Sequence, residues 1–218
     1  WVSYKNLKPH LFTLKKKPNA IPYVTSYYNK NWGFCLKYNK FKKLDKKKKY
    51  FVEIKSQIKK GYMHYGEIFI KGKSKKEILI TSYICHPSMA NNELSGILAS
   101  SLISKMIRNN KYSVRILLIS ETIGAIFFIK KYFKHLKSNL VAGINLTCVG
   151  ISGPYTIISS INENSYADLI TSRIGAQYNS FKKLSFKFRG SNERQFGCQN
   201  LGLPFVTFCR KRYGEYKE

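Results

Sequence analysis

Apolar and polar positions along residues 77–218 follow two alternating patterns, which together predict the architecture of this region. Short apolar runs rich in Ile, Val and Leu are typical of buried strands, and segments with apolar residues at helical spacing lie between them. The predicted strands cover 78–84, 113–119, 140–148, 155–159 and 204–209, and the predicted helices cover 94–107, 123–136 and 165–174. This alternation predicts an α/β fold, in which a mainly parallel mixed sheet has helices on both faces.

The first third of the chain has a different pattern. Residues up to about Lys49 are polar, aromatic and irregular, with breaks at Pro18 and Pro22, and they predict a covering segment. Residues 50–58 and 63–71 alternate as strands do, which predicts a small antiparallel lobe or a sheet edge. We therefore expect residues 1–76 to form a covering segment with a small β-rich lobe, and residues 77–218 to form the α/β domain.

The formal net charge of +28 is the most unusual feature of the composition. A field of this size attracts polyanions, so a basic polyanion-binding protein is one hypothesis. The lysines are nevertheless spread over the whole chain, and no recognised nucleic-acid module accompanies them. We therefore do not expect nucleic acid to be the partner.

Cysteine content and hydropathy bear on the compartment. Five cysteines at irregular spacings do not form a disulfide framework in a chain of 218 residues, which favours a reducing, cytoplasmic setting. No apolar stretch reaches the roughly 18 to 20 residues that a membrane-spanning helix needs. The chain starts at Trp1 and ends on a charged stretch at Glu218, so we expect a fragment of a longer polypeptide, truncated at its carboxyl end.

Candidate chemistry is concentrated after the predicted strands. His86 follows the first strand of the α/β region, Glu121 follows the second, and Glu93 and Glu193 lie in loops nearby. Open α/β sheets place their sites at the carboxyl ends of the strands, and imidazole and carboxylate groups are ligands of catalytic zinc. Structural alternatives stay open: a core or capping role for His86, a helix-start role for Glu121, a helix-capping role for Glu93, and an ion pair between Glu193 and Arg194.

Cys85 adjoins His86, so a thiol nucleophile or a thiolate ligand is a further hypothesis. Successive side chains of an extended chain point to opposite sides. We therefore expect Cys85 to point away from His86 and to be a buried structural cysteine.

Three motifs resemble those of a known family. They are 85–96 (CHPSMANNELSG), 121–124 (ETIG) and 189–195 (RGSNERQ). Over nearly its whole length the chain resembles the bacterial aminopeptidase-like domain family, whose members are similar to zinc aminopeptidases in fold. The resemblance implies that His86 is a metal ligand and that Glu121 is the general base of amide hydrolysis.

The chain also departs from the zinc-aminopeptidase pattern that the resemblance implies. Asn92 stands at the position of the Asp that bridges two metal ions. Ser88, Thr122 and Thr147 stand at other positions where a carboxylate is usual. Because a neutral amide or hydroxyl is a poor substitute for a bridging carboxylate, a two-metal site is not expected.

The implied site therefore holds one zinc ion and acts on a small substrate. The candidate metal ligands are His86, Glu93 and Asn92. The candidate substrate-binding residues are Glu193, Arg194 and Tyr213. A further histidine ligand, on a loop after Tyr216, is expected to lie past the end of this sequence.

These expectations define one principal function and two alternatives. The principal function is zinc-dependent hydrolysis of an amide bond in a peptide, an amino-acid conjugate or an N-acylated sugar, in some family members in surface-polysaccharide settings. The first alternative is a metal-poor descendant of the fold that binds a ligand or partner without turnover, because fold does not fix function. The second is the basic polyanion-binding protein.

Overall fold

The computed structural model describes residues 1–24, 30–57, 59–86 and 89–212. The chain divides into two compact units, Trp1–Lys60 and Gly61–Glu218. The domain boundary expected after residue 76 stays a prediction.

The first unit is built from short elements. Its strands are β1 (Val2–Ser3), β2 (Leu11–Phe12), β3 (Phe34–Cys35) and β4 (Lys49–Tyr50), and its helices are α1 (Tyr4–Leu7) and α2 (Tyr38–Phe41), with a 3₁₀ turn at Lys8–His10. Strand β1 pairs with β4 in antiparallel fashion, and β2 pairs with β3 in parallel. The rings of His10 and Trp32 stack with centroids 3.7 Å apart, so aromatic contacts replace a periodic apolar core here.

The strand predicted over residues 50–58 is wrong. Only Lys49–Tyr50 forms a strand, residues 51–57 belong to no helix or strand, and residue 58 lies outside the described residues. The apolar side chains that suggested alternation, Phe51 and Ile54, are exposed. A sequence pattern alone does not hold a strand unless a neighbouring strand accepts its hydrogen bonds.

The second unit contains, within its described residues, a seven-stranded sheet covered by helices. The strands are β5 (Gly66–Ile70), β6 (Ser74–Tyr83), β7 (Tyr112–Ile119), β8 (Leu140–Leu146), β9 (Tyr155–Ile158), β10 (Phe181–Leu184) and β11 (Phe205–Cys209). The helices are α3 (Ser95–Met106), α4 (Ile123–Asn139), α5 (Tyr166–Gly175) and α6 (Glu193–Phe196), with a π-helical turn at Ala90–Leu94 and a 3₁₀ turn at Phe186–Phe188. The spatial order is β10-β9-β11-β8-β6-β7-β5.

Strand direction confirms the predicted mixed α/β fold. Neighbours among the four central strands, β7, β6, β8 and β11, pair in parallel. Strand β5 pairs with β7 in antiparallel fashion, so the strand predicted near residues 63–71 is a sheet edge. Strand β9 runs opposite to β11, and β10 is parallel to β9. The carboxyl ends of the four central strands therefore lie at one edge of the sheet.

Helices cover both faces of this sheet because the central strands are apolar on both sides. Leu79 and Ile80 are neighbours on β6 and point to opposite faces. Leu79 belongs to a cluster with Phe128 of α4 and Phe205 of β11, whereas Ile80 belongs to a cluster that contacts Ile103 of α3. Helix α5 packs through Ala167 into a third cluster with residues of β8, β9 and β11. Among the described residues no helix is long and apolar enough to cross a membrane.

Helix α5 begins at a buried carboxylate. Asp168 is fully buried and accepts hydrogen bonds from the backbone N–H groups of Ser160 and Ser165, at 3.0 and 2.9 Å. Both serine hydroxyls also donate to it, and the Ser165 hydroxyl accepts from the N–H of Asp168 to complete a capping box. Burial by itself raises the pKa of this carboxyl, but the bonds from Ser160 and Ser165 outweigh it and lower the pKa.

We predict that Asp168→Asn destabilises the protein by about 1–3 kcal/mol at neutral pH, because one buried acceptor becomes a donor that faces other donors. The carboxylate stabilises the fold above its unfolded pKa, and this contribution is lost as the pH falls through the lowered folded pKa. The difference between wild type and variant should therefore shrink in acid. Urea unfolding at several pH values measures it, with exposed Asp45→Asn as the control. An equal loss of unfolding free energy in Asp168→Asn and Asp45→Asn would contradict the prediction.

Candidate functional site

The candidate site lies at the carboxyl ends of β6 and β7. These strands pair in parallel with Tyr83 opposite Ile119, which are the last residues of the two strands. His86 follows three residues after Tyr83, and Glu121 follows two residues after Ile119. Parallel pairing therefore brings these two residues to the same edge of the sheet, where open α/β folds bind ligands.

His86 lies between two carboxylates. Its Nδ1 atom is 3.2 Å from Oε2 of Glu93, and its Nε2 atom is 3.7 Å from Oε2 of Glu121. The side chains of His86, Glu93 and Glu121 are 9%, 4% and 16% exposed, so all three are shielded, and Glu121 is the most accessible of the three. The ring of Tyr83 packs edge-on against the imidazole at a centroid distance of 5.5 Å.

Glu93 reaches His86 from the π-helical turn that precedes α3. Its Oε2 atom accepts a hydrogen bond from the backbone N–H of His86 as well as contacting the ring. The structure places this carboxylate against His86, whereas no side chain caps the π-helical turn or α3. The helix-capping alternative for Glu93 is thus not observed, and its role as a metal ligand stays a prediction.

Cys85 belongs to the same cluster, and the expectation of a buried structural cysteine is wrong. Its Sγ atom lies 3.3 Å from Nδ1 of His86 and accepts a hydrogen bond from the backbone N–H of Glu121 at 3.2 Å. The residue is exposed, and partial burial of the thiol raises its pKa. Strand β6 ends at Tyr83, so the alternation of an extended chain no longer separates Cys85 from His86.

A thiol, an imidazole and a carboxylate therefore converge. One ligand atom from each of Cys85, His86 and Glu93 lies within 4.8 Å of the other two. Sulfur, nitrogen and oxygen donors of these residue types are the ones that bind zinc. The residues present fit a single metal ion.

Neutral side chains occupy the positions where the family pattern has further carboxylates. The Thr147 hydroxyl is fully buried, donates to the backbone oxygen of Asn92 at 2.7 Å, and hydrogen-bonds the Tyr83 hydroxyl. The side-chain amide of Asn92 lies 3.7 Å from Sγ of Cys148. These groups bond one another beside the cluster, and the role of Asn92 as a ligand stays a prediction.

Thr122 has a backbone conformation that is rare for a residue with a side chain. Its φ is 62°, in a region that costs about 1–3 kcal/mol and that is common at functional sites. Its N–H donates to Oδ1 of buried Asn192 at 3.1 Å, and its hydroxyl accepts from the Arg194 guanidinium at 3.1 Å. These bonds hold the turn that carries Glu121.

The ion pair suggested between Glu193 and Arg194 does not form. Arg194 is exposed and donates to Thr122 and to the backbone oxygen of Ser191. Glu193 instead turns inward to the backbone N–H groups of its own loop. The guanidinium of Arg194 therefore lies beside the turn that carries Glu121. The side chain of Arg194 is exposed there.

Glu193 is fully buried beneath the site. Its carboxylate accepts from the N–H groups of Gly190 and Ser191 at 2.7 and 3.1 Å, and from the side-chain amide of Asn145 at 3.4 Å. Asn145 in turn accepts from the hydroxyl of Thr81 at 3.0 Å, so a buried polar chain joins α6 to β8 and β6. Substrate contact by Glu193 stays a prediction. Tyr213, the other expected substrate-binding residue, and Ser88 lie outside the described residues.

Comparison with known proteins shows the family to which the chain belongs. The profile of a family described as a domain of unknown function (DUF4910) matches residues 16–218. The chain belongs to this family. A Clostridium acetobutylicum protein, provisionally named for polysaccharide biosynthesis with an aminopeptidase-like domain, is 38% identical over 214 residues, which are 95% of this chain and 48% of that protein. The chain thus spans about half the length of this curated relative.

Solved structures show the same fold. A crystal structure of a C. acetobutylicum protein, provisionally named a peptidase, superposes with a TM-score of 0.90 at 36% identity, over 97% of this chain and half of that one. A zinc aminopeptidase from Bacillus subtilis gives 0.53 at 14% identity, over 71% of this chain and 41% of the other. An aminopeptidase from Aneurinibacillus superposes with a TM-score of 0.54 at 15% identity, over 71% of this chain and 40% of the other. The resemblance to aminopeptidase-like domains with the zinc-aminopeptidase fold is confirmed.

Burial raises the pKa of the Glu193 carboxyl, so the folded state keeps this proton at a pH where the unfolded chain has lost it. Wild-type stability is therefore predicted to fall as the pH rises from the usual carboxyl pKa to the raised one. Glu193→Gln removes this titration but keeps an oxygen for Gly190 and Ser191. Between mildly acidic and neutral pH, the free energy of unfolding of this variant should therefore fall less than that of the wild type.

Urea unfolding across that pH range measures the effect. The exposed residue Glu163 provides a matched control, because Glu163→Gln should keep the wild-type pH dependence. A Glu193→Gln variant with the wild-type pH dependence would show that the buried carboxyl does not titrate as described.

Proposed function

We propose that this protein is a metal-dependent hydrolase that cleaves an amide bond in a peptide or an amino-acid conjugate. The observation that carries the proposal is the position of His86, with Glu93 on one ring nitrogen and Glu121 near the other. His86 and Glu93 supply ligands for one zinc ion, and the carboxylate of Glu121 is available as a general base. The aminopeptidase-like fold supports this assignment.

Each residue of the cluster has one task in the proposed reaction. Zinc held by His86 and Glu93 would supply Lewis acidity toward the amide carbonyl and the attacking water. The Glu121 carboxylate takes a proton from that water as the water oxygen bonds to the carbonyl carbon. The same carboxyl then donates the proton to the amide nitrogen as the C–N bond breaks. The products are a carboxylic acid and an amine.

The surroundings of Glu121 suit this role. Its side chain is more accessible than those of His86 and Glu93, so a substrate can approach it from solvent. Thr122 fixes the turn through Asn192 and Arg194. We further propose that the exposed guanidinium of Arg194 binds a carboxylate of the substrate, because its planar fork matches that geometry.

The remaining assignments extend the same proposal. Asn92 provides a neutral oxygen near the ion, and Tyr213 completes the substrate side of the site. Glu193 is fully buried, so it supports the site by holding its own loop through Gly190 and Ser191. The Clostridium relative named for polysaccharide biosynthesis supports amino-acid conjugates and N-acylated sugars as substrate classes beside peptides. The free cysteines support a reducing, cytoplasmic setting.

One specific observation favours a second function. Thr122, Thr147 and Asn92 carry no charge at positions where the family pattern has carboxylates, and all three are engaged in hydrogen bonds within the protein. A descendant of the fold that binds a ligand without turnover would have this composition. This candidate predicts ligand binding that is unaffected when Glu121 loses its charge.

We predict that Glu121→Gln lowers kcat for amide hydrolysis by about 10²–10⁴-fold, because glutamine cannot accept the proton of the attacking water. Folding and bound zinc should be unchanged, since Glu121 is assigned no metal contact. The measurement is turnover of a panel of aminoacyl anilides and N-aminoacyl sugars, with zinc content determined on the same samples.

Glu163→Gln is the control, because Glu163 is exposed and follows β9, whose carboxyl end lies at the opposite edge of the sheet. Wild-type turnover in Glu121→Gln would remove Glu121 as the general base. Absence of turnover by the wild-type protein on the whole panel would favour the non-catalytic candidate.

A further inference from the structure

The proposed metal site has fewer oxygen and nitrogen ligands than a zinc site needs. Catalytic zinc sites have three protein ligands and one open position. His86 and Glu93 provide two, Asn92 adds only a weak neutral amide oxygen, and the hydroxyl of Thr147 bonds Tyr83 and the Asn92 backbone. Within the described part of the chain, the thiol of Cys85 completes the group of three ligand atoms that also includes those of His86 and Glu93.

The position of Cys85 is set by its surroundings on both sides. Its sulfur lies 3.3 Å from Nδ1 of His86, the same ring nitrogen that contacts Glu93. The backbone N–H of Glu121 donates to the sulfur at 3.2 Å and so orients it. The residue is exposed and forms no disulfide. The ligand atoms of Cys85, His86 and Glu93 thus lie within 4.8 Å of one another.

We propose that the thiolate of Cys85 is the third protein ligand of a mononuclear site that also contains His86 and Glu93. The inference rests on the proposed metal-dependent function. Binding exchanges the thiol proton for the S–metal bond and releases that proton to solvent. A sulfur, nitrogen and oxygen set compensates for the missing carboxylates and selects a borderline-soft ion such as zinc over magnesium or calcium.

Cobalt(II) is the probe that distinguishes this ligand set. Cobalt replaces zinc with similar geometry, and its d–d bands report binding, whereas a thiolate-to-cobalt charge-transfer band in the near ultraviolet reports sulfur ligation. Wild-type protein should show both signals. Cys85→Ser should lose the charge-transfer band and bind cobalt at least about tenfold more weakly.

Two further variants keep the test decisive. Cys198→Ser changes another incompletely buried cysteine of the same unit and should keep both signals. Cys85→Asp restores an anionic ligand, so it should recover cobalt binding without the charge-transfer band, and circular dichroism checks the fold of every variant. The result expected for Cys85→Asp separates ligation from a merely structural role.

Each contrary outcome identifies what has failed. Wild-type d–d bands without a charge-transfer band would overturn Cys85 as a ligand and leave the metal-dependent function standing. A charge-transfer band that persists in Cys85→Ser would overturn it too. Absence of cobalt binding by the wild-type protein would overturn the metal-dependent function itself, and the ligand with it.

Discussion

Parallel pairing of β6 with β7 on one side and β8 on the other is the constraint on which the rest of the site depends. The register places the ends of β6 and β7 level with each other, and Thr81 opposite Asn145 of β8. His86 and Glu121, which are 35 residues apart in sequence, therefore approach to 3.7 Å. Because apolar clusters on both faces fix this register, packing far from the site determines its dimensions.

Much of this architecture could be predicted from the sequence, because buried parallel strands are continuous apolar runs and the helices between them have a clear period. The position of His86 after one run and Glu121 after the next follows from the same pattern. Local geometry could not be predicted in the same way. The alternation rule fails at Cys85 because the strand ends at Tyr83, and Glu193 bonds to its own loop rather than to Arg194. Residues 51–57 of the strand expected over 50–58 have no partner strand within the described part of the chain.

The neutral side chains beside the cluster have a common physical consequence. Thr122, Thr147 and Asn92 are neutral groups that bond the protein around the cluster, so negative charge is concentrated on Glu93 and Glu121. A two-metal site needs bridging and terminal carboxylates to balance the charge of two ions. The charges that remain suit one divalent ion and one general base. The strained turn at Thr122 and the buried chain through Glu193 hold this smaller site in place.

The central claim is that His86 anchors a metal ion, and the metal content of the full-length protein tests it most directly. Elemental analysis after equilibration with zinc and removal of excess should find about one zinc per chain in wild type. His86→Ala should lose it, because the imidazole lies between both carboxylates, while His64→Ala, at an exposed position, should keep it. Wild-type protein without zinc, or an ion that persists in His86→Ala, would contradict the account.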